Sequence, residues 1–136
     1  MTDPAMGNLD HEATPSALQV ALPRDLSCAS TARRIVSDAV GDRLTERALE
    51  RALLATSELV TNAWKHGEGQ IELKVVRSAQ SLRIEVIDEG SGAVPEIREQ
   101  PADEYGGWGL RIVDEVALQW GCFEGTTHVW VELPLS

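Results

Sequence analysis

Hydrophobic and polar residues alternate in five short stretches of the chain, and alternation with a period of two predicts β-strands. The predicted strands span residues 17–23, 70–77, 81–88, 117–124 and 126–133. Only residues 78–80 separate the second strand from the third, and Gly125 separates the last two. Each of these pairs is therefore expected to form a hairpin.

Apolar residues recur at spacings of three and four in three other stretches, which predicts α-helices. The first helix begins at a polar capping residue within 25–30 and ends near Val40. The second begins at Thr45 and ends at His66, and the third spans 109–118. A broad buried side is expected on the second helix, formed by Ala48, Leu49, Ala52, Leu53, Ala55, Thr56, Leu59, Val60 and Ala63.

The order of these elements is strand, two helices, hairpin, loop, helix and hairpin, which predicts an α+β fold. Such a fold is a two-layer α/β sandwich, in which about three helices cover one face of a mostly antiparallel, mixed sheet. Residues 17–136 are expected to form this single domain, after a flexible polar tail at 1–16. The segment 89–107 is rich in glycine and proline, and a loop of this length is usually functional or disordered.

Composition narrows the classes of partner. The 136 residues include 12 Lys and Arg and 22 Asp and Glu, which gives a formal net charge of −10. This charge argues against nucleic acid and against an anionic membrane as general partners. No apolar run approaches the roughly 18 residues of a membrane span, and no signal peptide is evident, so a cytoplasmic location is expected. The two cysteines are expected to be reduced core thiols, and His128 to be structural.

The first segment with candidate chemistry lies near the end of the long helix. Glu58, Asn62 and His66 follow one another at intervals of four residues, so they form a line that drifts by only about 40° per step. A carboxylate and an amide oxygen in line suit a Mg²⁺ ion that retains some of its waters. The solvated polar edge of an amphipathic helix would show the same residues.

Two glycine-containing segments complete the candidate site. Asp88 comes directly after an apolar strand and can accept a hydrogen bond from an exocyclic amine, while Gly90 and Gly92 let the backbone approach a ligand. Gly107 and Gly109 lead into a helix N-terminus, whose N–H groups favour phosphate. An ordinary turn and a flexible hinge would also explain these two segments.

Taken together in this order, the three segments resemble the N-box and the two glycine boxes of the Bergerat-fold ATPases. These are the ATP-binding domains of gyrase, Hsp90, histidine kinases and MutL (GHKL), and the likeness covers about residues 18–133. Within them the chain looks most like the anti-sigma-factor serine/threonine kinases and related actinobacterial ATP-binding regulators. This likeness is carried by Glu-Leu-Val-Thr-Asn-Ala-x-x-His-Gly at 58–67, Gly-x-Gly-Leu-x-x-Val at 107–113 and Trp-Gly at 120–121.

The resemblance implies that the domain binds ATP with Mg²⁺. Asn62 would ligate the metal ion, Asp88 would hold the adenine amine, and Glu58 would act as general base on the attacking hydroxyl. The segment 89–105 would form a lid, and Arg98 is its only basic residue, which leaves open how the lid stabilises charge. The resemblance also assigns ATP contacts to His66, Gly90, Gly92, Gly107, Gly109 and Leu110.

The activity that the resemblance implies is that of an ATP-dependent protein serine/threonine kinase. It would bind an RNA polymerase sigma factor and phosphorylate a small anti-sigma-factor antagonist protein. The alternative is a catalytically silent ATP-binding module that sequesters its partner, and a weaker one is a detached sensor-kinase-like domain that acts on a response regulator. Arg33 and Arg34 fit either a partner contact or a solvated helix face, and the sequence leaves open whether the chain forms a homodimer.

Overall fold

The computed structural model describes residues 16–90, 109–123 and 128–136. Within these residues the chain forms five strands and three α-helices, in the predicted order. They are β1 (Ser16–Leu22), α1 (Cys28–Val40), α2 (Glu46–His66), β2 (Ile71–Arg77), β3 (Ser81–Ile87), α3 (Gly109–Val116), β4 (Gln119–Phe123) and β5 (His128–Pro134). The predictions for residues 1–15, 91–108 and 124–127 lie outside the described residues.

The described strands form a single open sheet with the order β1-β2-β3-β5-β4, and each pairing is antiparallel. The register places Val75 opposite Ile84 and Ile84 opposite Val131, so apolar residues of adjacent strands share one face. The helices pack on this face, and their buried residues join those of the strands in one core. The predicted α+β two-layer sandwich is confirmed.

Helix α2, which carries the candidate site, lies where the sequence predicts it. Thr45 is its N-cap, and the Thr45 hydroxyl oxygen accepts a hydrogen bond from the Ala48 N–H at 3.1 Å. The helix ends at His66, as expected. Its predicted apolar side is buried except for Leu49 and Leu53, which are half-buried. The long helix is therefore held against the sheet by a stripe of small and branched apolar residues.

One expected helix cap is not formed and one helix end differs from the prediction, and local hydrogen bonds explain both. Ser27 occupies the N-cap position of α1 but does not cap the helix, because its hydroxyl donates to the Asp25 carboxylate at 2.6 Å. Asp25 also accepts the Ser27 N–H at 2.7 Å, and so orders the turn before the helix. Helix α3 ends at Val116, earlier than expected, because the Leu118 N–H already donates to the Glu132 carbonyl of β5 at 2.8 Å.

The other, open face of the sheet is not covered by any helix of the described residues, and it carries a polar cluster. Glu85 on β3 is buried there beside Arg83, which donates to its carboxylate at 2.7 Å, and beside His128 of β5, which makes a short contact with it. The Arg83 guanidinium also lies 4.2 Å from the ring centroid of Trp130. His128 is therefore part of a structural contact, as predicted.

Two remaining expectations concern the thiols and the membrane. Cys28 is buried in the core, Cys122 is half-buried against it, and both are free thiols. In the described part of the chain, no helix combines the length and the apolar character that crossing a membrane requires.

Candidate functional site

A small recess lies where the C-terminal ends of α2 and β3 meet the start of β5. It opens to solvent, and its empty volume, counting the open mouth, is about 260 Å³. The structure brings three predicted site residues, Asn62, His66 and Asp88, together in this recess. The lining residues are Leu59, Asn62, Ala63, His66, Gly67, Val86, Asp88 and Val129.

Asp88 is the buried carboxylate of the recess. It follows β3 directly, and only 6% of its surface is exposed. Burial raises the pKa of Asp88, while hydrogen bonds from the backbone of Gly90 and Glu68 and the charge of Arg24 oppose this shift. The Gly90 N–H donates to Asp88 Oδ1 at 2.6 Å. A carboxylate can accept about four hydrogen bonds, so the bond from Gly90 leaves Asp88 acceptor capacity for a donor on a ligand.

Gly67 lets Asp88 lie directly against the end of α2. A Cβ at position 67 would stand 2.6 Å from Asp88 Cγ and 2.7 Å from the Ala63 carbonyl oxygen. The φ of Gly67 is −91°, which any residue adopts, so space rather than backbone conformation demands glycine here. From the sequence, Gly67 is recognisable only as a helix end, because its neighbour at position 88 comes from another element.

Arg24 is a residue of this region that the sequence analysis missed. It lies between β1 and α1, and its Nε donates to the Gly69 carbonyl oxygen at 2.6 Å. Its Nη1 and Nη2 donate to the carbonyl oxygens of Trp64 and Ala63 at 2.9 and 3.1 Å. The helix C-terminus carries partial negative charge, which favours a cation there. No local pattern signals this role, because an exposed arginine between proline and aspartate is typical of a surface loop.

Glu58 lies one helical turn before Asn62 and is half-buried. Burial raises the pKa of Glu58, and the charge of Lys65 lowers it in part. A carboxylate with a raised pKa accepts a proton more readily than an ordinary one. Glu58 is not among the residues that line the recess, so it stands beside the recess rather than in its wall.

The glycine segments are described only in part. Gly90 lies beside Asp88 and hydrogen-bonds it through the backbone, as stated above. Gly109 and Leu110 form the first turn of α3, and this helix packs against α2. Gly92 and Gly107 lie outside the described residues. Direct contacts between these glycines and a nucleotide stay a prediction.

Asn62 is the candidate metal ligand and is half-buried in the wall of the recess. Among residues 16–90, 109–123 and 128–136, no group of three or more His, Cys, Asp or Glu could hold a metal ion. A single amide oxygen fits a Mg²⁺ ion that arrives with a phosphate-bearing ligand. Such an ion takes only one or two protein oxygens and completes its shell with phosphate and water.

The recess therefore combines apolar walls, a buried carboxylate and a polar helix edge. Apolar walls with a few convergent polar groups are typical of a site for a small organic ligand. Leu59, Val86 and Val129 supply the apolar surface, and Asp88 supplies an acceptor for an amino group. Fold and site together describe an α+β domain whose open recess offers apolar surface and a carboxylate that can accept a hydrogen bond from an amino group.

Comparison with known protein families identifies the family to which the chain belongs. The profile of the histidine kinase-like ATPase domain matches residues 22–128, which include every residue that lines the recess except Val129. The chain therefore belongs to the histidine kinase-like ATPase (GHKL) family, as the resemblance of its motifs indicates. Domains of this family bind ATP, usually with Mg²⁺, and the assignment fits a kinase or an ATPase. A search among curated proteins finds no match.

Proposed function

We propose that the protein is an ATP-dependent protein serine/threonine kinase of the anti-sigma-factor type. It binds a sigma factor in the cytoplasm and phosphorylates an anti-sigma-factor antagonist protein. The observation that carries phosphoryl transfer is a half-buried carboxylate with a raised pKa, Glu58, one turn from Asn62 on the helix that forms the recess. The choice of partners is supported by the likeness of segments 58–67 and 107–113 to that subgroup.

Asp88 supports a preference for adenine. Its carboxylate can accept a hydrogen bond from the exocyclic amine of adenine. Guanine carries a carbonyl oxygen at the same ring position, so two acceptors would face each other. Leaving a buried acceptor unsatisfied costs about 1–3 kcal/mol. ATP is therefore preferred over GTP.

The phosphates require positive charge in a protein whose net charge is −10. Asn62 would hold Mg²⁺ through its side-chain oxygen, and the bound ion supplies charge that neutralises the phosphates. Lys65 is exposed close to Asn62 on α2 and adds a cation there. The first turn of α3 presents backbone N–H groups, which favour phosphate oxygens.

Glu58 takes the proton during transfer. As the serine or threonine oxygen of the antagonist attacks the γ-phosphorus, the hydroxyl proton passes to the Glu58 carboxylate. The new P–O bond forms, the bond from the γ-phosphorus to the bridging oxygen of ATP breaks, and ADP leaves. A carboxylate whose pKa is raised towards the working pH is the more effective base. Holding the nucleotide does not require Glu58.

The test is single-turnover transfer of labelled phosphate from ATP to purified candidate antagonist proteins. Glu58→Gln keeps the size of the side chain and removes its basicity. We expect this variant to bind ATP nearly as well as wild type and to transfer phosphate at least about a hundredfold more slowly. Glu50→Gln removes a carboxylate from an exposed position on the same helix and should transfer at the wild-type rate. Undiminished transfer in Glu58→Gln would remove the assignment of the base.

A catalytically silent ATP-binding regulator is the second candidate, and the position of Glu58 outside the lining of the recess favours it. Such a protein sequesters its partner without turnover. In that case wild type transfers no phosphate to any candidate antagonist, and Glu58→Gln changes only affinity or stability. A new phosphoserine on an antagonist, detected by mass spectrometry after incubation with Mg-ATP, would exclude this alternative.

A further inference from the structure

The turn between α2 and β2, residues 67–70, is tied to the segment that carries the recess carboxylate. The Glu89 N–H donates to the Glu68 carbonyl oxygen at 2.8 Å, and the Gln70 N–H donates to Glu89 Oε2 at 3.0 Å. Gly69 has a φ of +72°, a left-handed conformation that favours glycine, and the space beside it is filled by the Glu89 side chain. Hydrogen bonds and close packing therefore hold this turn against the segment that follows β3.

Arg24 also hydrogen-bonds this turn. Its guanidinium bonds the Gly69 carbonyl and the carbonyls of Ala63 and Trp64 in the last turn of α2. A guanidinium presents five N–H donors in a rigid planar fork, whereas a lysine ammonium is a compact point charge. Arginine is therefore the side chain suited to this three-carbonyl contact.

We propose that Arg24 is a positioning residue of the nucleotide site, which holds the α2–β2 turn so that Asp88 presents its carboxylate to the exocyclic amine of the ligand. The inference rests on the proposed binding of ATP in the recess. Arg24 acts through the turn, because Gly67 lies against the Asp88 carboxyl group and the Glu68 carbonyl oxygen accepts the N–H of Glu89, the residue after Asp88. Without the three bonds the turn can move, and the position of the Asp88 carboxylate is no longer fixed.

Arg24 also acts through its charge. Burial raises the pKa of Asp88, the Glu68 carboxylate raises it further, and Arg24 lowers it. Two more ionisable groups stand near it in the described residues: His66, which lines the same recess from α2, and Glu89, the next residue along the chain. An ionised Asp88 is the stronger acceptor for an amine. The charge of Arg24 therefore keeps Asp88 ionised, and able to bind the amine, at lower pH.

The test compares three variants with wild type. R24Q removes both the charge and the fork, whereas R24K keeps the charge alone. R47Q is the matched control, because it removes an exposed arginine from the first turn of α2, at the end of that helix away from the recess. One measurement is the carbon-13 NMR titration of the Asp88 carboxyl group in nucleotide-free protein. The other is the affinity for ATP by calorimetry as a function of pH.

We expect R24Q to bind ATP at least about tenfold more weakly than wild type at neutral pH. The Asp88 carboxyl group of this variant should titrate at higher pH than in wild type. As the pH is lowered, its ATP affinity should therefore begin to fall at a higher pH. R24K should bind ATP several-fold more weakly than wild type, because the fork is lost, and its Asp88 carboxyl group should titrate closer to wild type than that of R24Q, because the charge is kept. R47Q should match wild type in both measurements. Added salt should shrink the titration difference of R24Q, because Arg24 is exposed.

Equal Asp88 titration and equal ATP affinity in R24Q and wild type would overturn the inference. If circular dichroism shows that R24Q does not fold, the ATP affinity of R24K tests the inference instead. An affinity of R24K equal to that of wild type would then overturn the inference. Failure of the proposed function has a different signature: wild type itself would bind no ATP. The Asp88 titration in nucleotide-free protein would still report the effect of Arg24.

Discussion

Two carboxyl groups at the end of β3 are almost equally buried and yet behave in opposite ways. Glu85 and Asp88 have 7% and 6% of their surfaces exposed. For Glu85, burial acts to raise the pKa, but hydrogen bonds from His128 and Arg83 outweigh burial and hold it below its ordinary value. For Asp88, burial prevails and the pKa is raised.

The difference lies in the partners that each carboxyl group has. Glu85 lies on the open face of the sheet between an arginine and a histidine, and its charge is compensated within the fold. Asp88 receives backbone N–H groups, and the nearby guanidinium of Arg24 is engaged by three carbonyls. A buried carboxylate with a raised pKa in a cleft is typical of functional sites, whereas a paired one is typical of structural sites. The contrast therefore supports the proposed role of Asp88 in ligand binding and a structural role for Glu85.

Gly67→Ala is expected to have the largest effect on stability and ATP affinity together, because it displaces Asp88. The added Cβ would meet Asp88 Cγ at 2.6 Å and the Ala63 carbonyl oxygen at 2.7 Å, so the helix end and the carboxylate must separate. We expect the free energy of unfolding to fall by about 1–3 kcal/mol, and ATP affinity to fall at least about tenfold. Urea denaturation and calorimetry measure the two effects.

Gly41→Ala is the control for that substitution. The Cβ at position 41 would meet Ser37 Oγ at 3.5 Å and Leu49 Cδ2 at 3.8 Å, which are ordinary contacts. The backbone there is right-handed helical, so alanine fits and should leave stability unchanged or slightly raised. Equal behaviour of the two variants would show that the site does not depend on the close approach at Gly67.

Glu85→Gln should separate stability from binding. It weakens the contacts to Arg83 and His128, and we expect a loss of about 1–3 kcal/mol in the free energy of unfolding at neutral pH. ATP affinity should stay at the wild-type value, because the open face of the sheet lies away from the recess. A variant that kept its stability and lost ATP binding would contradict the comparison.

The stability contributed by Glu85 should also depend on pH in a fixed direction. The pKa of Glu85 in the folded protein lies below the ordinary value of 4.5, so its stabilisation is complete above that pH. The stabilisation is lost as the pH falls through the folded value. Denaturation curves of wild type and Glu85→Gln should therefore differ most at neutral pH and converge in acid, and a constant difference would contradict the pairing.

Substitution of Asn62 is expected to cause a smaller loss of ATP affinity, and only in the presence of Mg²⁺. Asn62→Ala removes the only oxygen ligand that the wall of the recess is proposed to give Mg²⁺, so the variant should lose most of the enhancement of ATP binding by the ion. Affinity without Mg²⁺ should change little. Thr61→Ala alters the adjacent half-buried position and should keep the enhancement. Calorimetry with and without Mg²⁺ tests this, and equal enhancement in wild type and Asn62→Ala would make Asn62 a surface residue.

Local patterns in the sequence were sufficient for the elements and for part of the site. Periodicity and capping residues place α2 and the strands within a few residues of their observed ends, because those features are set by near neighbours. Asp88 and Asn62 were predicted as site residues from their places after an apolar strand and on the long helix and from the family resemblance, and their contacts with a ligand stay predictions. Their assembly into one recess is observed in the structure.

Contacts between distant segments could not be predicted in the same way. Arg24 bonds a carbonyl 45 positions further along the chain, and Glu85 pairs with His128 across 43 positions. The pairing of β3 with β5 also buries Glu85, on the face of the sheet away from the helices. Such contacts depend on the order of strands in the sheet, which periodicity does not determine.

The affinity of wild type and Asp88→Asn for ATP and GTP, measured by calorimetry with Mg²⁺, tests the central claim most directly. Asp88→Asn keeps the size of the side chain and removes the buried charged acceptor. We predict that wild type prefers ATP over GTP and that Asp88→Asn loses about 1.5–3 kcal/mol of ATP binding, roughly tenfold to a hundredfold. Glu85→Gln, the equally buried carboxylate on the other face, should bind ATP like wild type. Absence of ATP binding by wild type at millimolar concentration, or unchanged ATP affinity in Asp88→Asn, would contradict the assignment of the recess as the nucleotide site.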